Sequence, residues 1–68
     1  MASRQTLDNL TDNLLNFTGV KKADWYYDYD YEITIYVESD TDSKSRLYEI
    51  LNQAIELVLH EDYSLILR

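Results

Sequence analysis

The chain has no cysteine, one glycine and one histidine, and only six basic residues among its 68. Each scarcity excludes something. Without cysteine there are no disulfides and no thiolate metal ligands or nucleophile, which is compatible with a cytoplasmic setting. One glycine, Gly19, cannot build a phosphate-cradling loop. A lone histidine, His60, has no serine or cysteine partner nearby in sequence. Its place near the end of a helical pattern suits a cation meeting the negative end of a helix dipole. Six Lys and Arg against thirteen Asp and Glu leave a net charge of −7. Direct nucleic-acid binding and adhesion to anionic membranes both need clustered cations and are disfavoured. No apolar run approaches the roughly 18 residues of a membrane span. No catalytic constellation stands out, so the expectation is a non-enzymatic protein without a cofactor.

What is present is a strongly patterned stretch from Asp24 to Asp40. Its odd positions are Trp25, Tyr27, Tyr29, Tyr31, Ile33, Ile35 and Val37. Its even positions carry Asp24, Tyr26, Asp28, Asp30, Glu32, Thr34, Tyr36, Glu38 and Asp40. A period of two sends alternate side chains to opposite faces of a strand. One face is therefore apolar and aromatic, the other acidic with two tyrosines. The stretch exceeds a typical strand of about five or six residues, so it reads as a hairpin. A three-residue loop keeps the parity intact. Placing it at Asp28-Tyr29-Asp30 pairs Tyr27 with Tyr31, uses the turn tolerance of aspartate, and starts the second strand at Tyr31.

The flanking segments read as helices. From Arg4 to Phe17 the residues Leu7, Leu10, Leu14 and Phe17 recur at three- and four-residue spacing, with Ser3 or Thr6 as N-cap and Gly19 closing the C-terminus. From Lys44 to His60 a broader apolar arc includes Leu47, Ile50, Leu51, Ala54, Ile55, Leu57, Val58 and Leu59. Such an arc is expected to be covered on more than one side. Glu61-Asp62 turns the chain into a last strand from Tyr63 to Arg68. The expectation is one α+β domain over residues 1–68, in the order α-β-β-α-β. It is a two-layer sandwich with two helices on one face of a three-stranded mixed sheet. Trp25, Ile33, Ile35, Leu51 and Val58 are the expected core.

Asp28-Tyr-Asp30-Tyr-Glu32 and Asp40-Thr-Asp42 superficially echo calcium-loop spacing, but neither has the glycine and glutamate such a loop needs, and no metal site is expected. The candidate binding residues are Asp24, Tyr26, Asp28, Asp30, Glu32, Tyr36 and Glu38, all on the open face of the expected sheet. Exposed tyrosines could stack on bases, yet the surrounding carboxylates repel phosphates, so they fit better as anchors for a protein. Carboxylates at alternate strand positions lie about 6.5–7 Å apart, matching a two-phosphate step at ~3.4 Å per phosphate along one DNA strand. Small acidic inhibitors of viral or plasmid origin imitate nucleic acid in this way. The expected function is thus an acidic protein-interaction module that binds a basic partner, and in its sharper form a nucleic-acid-mimicking inhibitor of a nucleic-acid-binding protein. The alternative is a structural or assembly subunit, a homo-oligomer (a homodimer in its simplest form) built through the apolar second helix or a sheet edge. An acidic surface that merely keeps the protein in solution accounts for the charge equally simply.

Overall fold

The computed structural model describes residues 2–68. It has the order α1 (Arg4–Leu14), β1 (Val20–Tyr27), β2 (Ile33–Ser39), α2 (Lys44–Glu56), β3 (Tyr63–Leu67). The strands form one sheet in the order β1-β2-β3. β1 pairs antiparallel with β2, and β2 pairs parallel with β3. This is the mixed α+β sandwich that the alternation and the helical stripes lead one to expect. Among the described residues no helix is long and apolar enough to cross a membrane.

The core lies between the helices and one sheet face. Leu7, Leu10 and Leu14 of α1 and Leu47, Leu51 and Ile55 of α2 meet Ile33, Ile35 and Val37 of β2, with Leu59 closing one end. The three β2 residues are fully buried, as befits alternate positions of a central strand. Ser3 caps α1, its hydroxyl accepting from the Thr6 amide at 3.1 Å.

Both helices are shorter than their apolar stripes. α1 ends at Leu14 with Leu15 as C-cap, and Phe17 belongs to the turns that follow. Gly19 is left-handed (φ 92°) as the third residue of the turn closed by the Val20 amide donating to the Phe17 carbonyl at 3.2 Å. It serves the loop rather than the helix: its carbonyl accepts from the Asp40 amide at 3.0 Å, and a Cβ there would approach the Thr41 side chain to 3.2 Å. α2 stops at Glu56, so His60 lies outside it. Leu57 is 81% exposed and Val58 is exposed too, whereas Leu59 turns inward. Val58 is therefore not a core residue. Once the chain leaves helical geometry, the 3.6-residue stripe no longer says which side chains point inward. Trp25 is also corrected from buried to half-buried. It packs on the border of the core, its indole N–H donating to Asp8 Oδ1 at 2.8 Å and its ring meeting Tyr27 edge-on at 5.6 Å.

Candidate functional site

The hairpin tip departs most from the alternation. Tyr27 pairs with Ile33 and Trp25 with Ile35, so Tyr31 and Glu32 are not in β2. The loop does have three residues, but they are Tyr29, Asp30 and Tyr31, flanked by Asp28 and Glu32. The Asp28 amide donates to the Glu32 carbonyl at 3.0 Å, and the Tyr31 amide donates to the Asp28 carbonyl at 3.1 Å. The Asp28 carboxylate decides this placement. Its Oδ1 accepts from the amides of both Asp30 and Glu32, at 2.9 Å each. Aspartate at the residue before a turn is favoured for this reason. With the turn one residue later than the parity argument put it, Tyr31 occupies the left-handed position (φ 60°) where three-residue hairpins usually carry glycine.

This geometry splits the expected acidic row in two. Asp24, Tyr26, Tyr36 and Glu38 do lie on the open sheet face, together with Lys22, Thr34, Ser64, Ile66 and Arg68 by alternation. Asp30 belongs to the hairpin loop, and Asp28 and Glu32 flank it beyond the ends of the two strands. A straight file of carboxylates at strand spacing therefore does not form: of the three even positions of β1 from Lys22 to Tyr26, only Asp24 is acidic. At the base of the hairpin the charges are also partly countered. Lys22 Nζ lies 3.8 Å from Asp24 Oδ2, and Lys22 sits opposite Glu38 in the register. The Tyr36 hydroxyl donates to Glu38 Oε1 at 3.1 Å, which fixes the half-buried ring along the strand. Thr34, also on the open face, is buried between the flanking positions Tyr26 and Ser64. The open face is thus a small Tyr26–Tyr36–Ile66 surface edged by mixed charge.

The tip itself is the acidic and aromatic feature. Tyr29 is fully exposed and Tyr31 is 77% exposed, with exposed Asp30 and Glu32 between and beside them. Half-exposed Tyr26 adjoins them, and a shallow groove of 420 Å³ lined by Tyr26, Tyr27, Asp28 and Tyr29 opens below. The expected turn at Asp28-Tyr29-Asp30 already put Tyr29 in the loop, but it placed Tyr31 at the start of β2 on the inner face and so missed it as a surface residue. The signal that could have found Tyr31 is the Asp-X-Asp run, since Asp28 can bond two amides ahead only if the chain turns after it.

A second concave region lies between α2 and β3. It is a groove of 640 Å³ whose lining includes Tyr48, Asn52, Glu56 and Tyr63. The Tyr63 hydroxyl donates to Asn52 Oδ1 at 2.6 Å. Burial raises the Tyr63 pKa above its ordinary value, and the nearby Glu56 carboxylate and Tyr48 phenol add to the shift. Among the described residues no group of His, Asp and Glu is arranged to hold a metal ion. Compared with protein-family models, curated proteins and solved structures, the chain matches none, so its function must be argued from this geometry alone.

Proposed function

We propose that the protein is a non-enzymatic interaction module whose hairpin tip docks onto a basic protein surface. One observation carries this reading: two exposed tyrosines, Tyr29 and Tyr31, alternate with two exposed carboxylates, Asp30 and Glu32, on a loop locked by the Asp28 carboxylate. Exposed tyrosines carried on a backbone turn that is already fixed make good interface anchors, because little main-chain freedom is lost on binding. Carboxylates beside them steer a cationic partner and raise its association rate. Backbone strain supports the same site. A tyrosine at φ 60° costs about 1–3 kcal/mol relative to relaxed geometry, and such positions cluster where a side chain is needed for contact. Glycine would relieve the strain but would remove the ring.

The partner class that fits is a protein with a positively charged surface, and a nucleic-acid-binding protein is the sharpest form of it. A net charge of −7 favours such an encounter from a distance. Mimicry of a regular phosphate file is not part of this reading, because the turn breaks the file. The test uses the immobilised protein and a fraction enriched in basic proteins. Capture by the wild type that is lost with the Tyr29→Ala, Tyr31→Ala double variant, with the fold intact by circular dichroism, supports the reading. Equal capture by both overturns it.

A further inference from the structure

The two edges of the sheet are built differently. β1 carries Lys21, Lys22 and Asp24, has a register irregularity between Val20 and Lys22, and packs against α1. Charges, bulges and a covering helix are the usual devices that stop an edge from pairing with another strand. β3 packs against α2 in its turn, but it has neither a charge nor a bulge within its span. It reads Tyr63-Ser64-Leu65-Ile66-Leu67, with no charge, and no strand lies beyond it among the described residues.

The hydrogen bonds identify which groups β3 turns outward. The Arg68 amide donates to the Val37 carbonyl at 2.8 Å, and the Arg68 carbonyl accepts from the Ser39 amide at 2.6 Å. Both backbone groups of Arg68 therefore face β2. Alternation gives the same direction to Ile66 and Ser64, and the opposite one to Tyr63, Leu65 and Leu67. The N–H and C=O groups of those three residues point along the open edge, beside the groove that runs between β3 and α2.

We infer that this edge pairs with β3 of a second copy of the chain, antiparallel about a two-fold axis at Leu65. The inference rests on self-complementarity and is independent of the hairpin tip. Centring the pair on Leu65 sets Leu65 against its own equivalent and Tyr63 against the second copy's Leu67, so every outward residue meets an outward residue. One step beyond the strand, Asp62 falls opposite the second copy's Arg68, and the two-fold repeats that pair at the other end. Each residue type thus meets a suitable mate: apolar with apolar or aromatic inside, and acid with base at both ends. A register slip of one residue, which moves the axis by half a residue, would set outward-facing groups against inward-facing ones, and a slip of two would keep the edge hydrogen bonds but part Asp62 from Arg68. The long-range repulsion between two acidic copies is screened at physiological salt, where the Debye length is about 8 Å.

The charge pairs supply a test that spares the fold, because Asp62 and Arg68 are both exposed. Sedimentation from about 10 μM to about 1 mM covers the affinities expected of a small interface, and should show a monomer–dimer equilibrium in ~0.15 M salt. Asp62→Arg and Arg68→Asp each convert both end pairs to like charges. Each should weaken self-association by about 3- to 10-fold, the scale of exposed cross-strand ion pairs. An equimolar mixture of the two variants restores opposite charges at both ends and should regain the wild-type affinity. Amide exchange gives the second readout. Tyr63, Leu65 and Leu67 amides should become protected as concentration rises, while Ser64, Ile66 and Arg68 amides stay protected throughout. A monomer up to about 1 mM with fast exchange at the outward amides would overturn the inference. So would a dimer indifferent to both charge reversals, or edge amides protected only when a different protein's strand is supplied.

Discussion

Ile33, Ile35 and Val37 share their parity with Tyr29 and Tyr31, yet the first three are fully buried and the last two stand in solvent. All five come from one alternating run. The difference lies in hydrogen bonding. From Ile33 onward each residue is held between β1 and β3, so its side chain has one direction only. Tyr29 and Tyr31 lie where Asp28 has already turned the backbone with two carboxylate bonds. Alternation is a rule of paired strands and lapses where a side chain captures the backbone. The covered half of the run holds the fold together, and the uncovered half is free to serve as a contact surface.

The contrast can be broken first at its buried end. Ile35→Ala should destabilise the domain by about 2–5 kcal/mol, because the cavity opens in the central strand; denaturant unfolding reads this, and a small domain has little to spare. At the turn, Asp28→Ala should cost about 1–2 kcal/mol through loss of two charge-assisted amide bonds, and Asp28→Asn should recover part of it. The same unfolding assay distinguishes the two.

Tyr31→Gly acts in the opposite direction. Relief of the left-handed backbone should raise stability by about 1 kcal/mol, while the loss of the ring should speed dissociation from any partner that uses the tip. A gain in midpoint with unchanged binding would separate strain from function. Asp30→Asn with Glu32→Gln should leave stability within about 0.5 kcal/mol but slow association and flatten its salt dependence. Asp28 differs from these two carboxylates, since it is structural and they are not.

The smallest effect concerns pH. Because the folded-state pKa of Tyr63 is raised, the unfolded chain releases this proton first, from about pH 10. Stability from this group is therefore complete below that pH and falls as pH rises towards the higher folded value. Tyr63→Phe should remove this alkaline dependence, at the cost of the hydrogen bond to Asn52. Thermal midpoints measured between about pH 8 and pH 11 would show it.

The candidate site was less legible than the fold. Tyr26 and Tyr36 were readable as open-face residues because they sit inside paired strands. Tyr29 was readable as a loop residue but Tyr31 was not, since no glycine or proline marks where the loop ends and alternation carries Tyr31 into the strand. Ile66 enters the surface only through its register with Tyr36. The parallel pairing that makes this register joins residues about thirty apart in the chain, and nothing local encodes which strand lies beside which.

By itself the sequence determined the element order, the inward face of β2, a capped start to α1 at Ser3 or Thr6, and the excess of negative charge. These follow from local rules: period two, period 3.6, capping chemistry and a count of ionisable groups. Tertiary structure decided the rest. It set where the hairpin turns, because several aspartates could lead a turn and only in the folded hairpin does the Asp28 carboxylate take both the Asp30 and Glu32 amides. It ended α2 at Glu56, so that Leu59 could seal the core while Leu57 was left outside. It also left the β3 edge open beside α2, since which strand becomes an edge depends on the order in which strands pair and not on what any one of them contains.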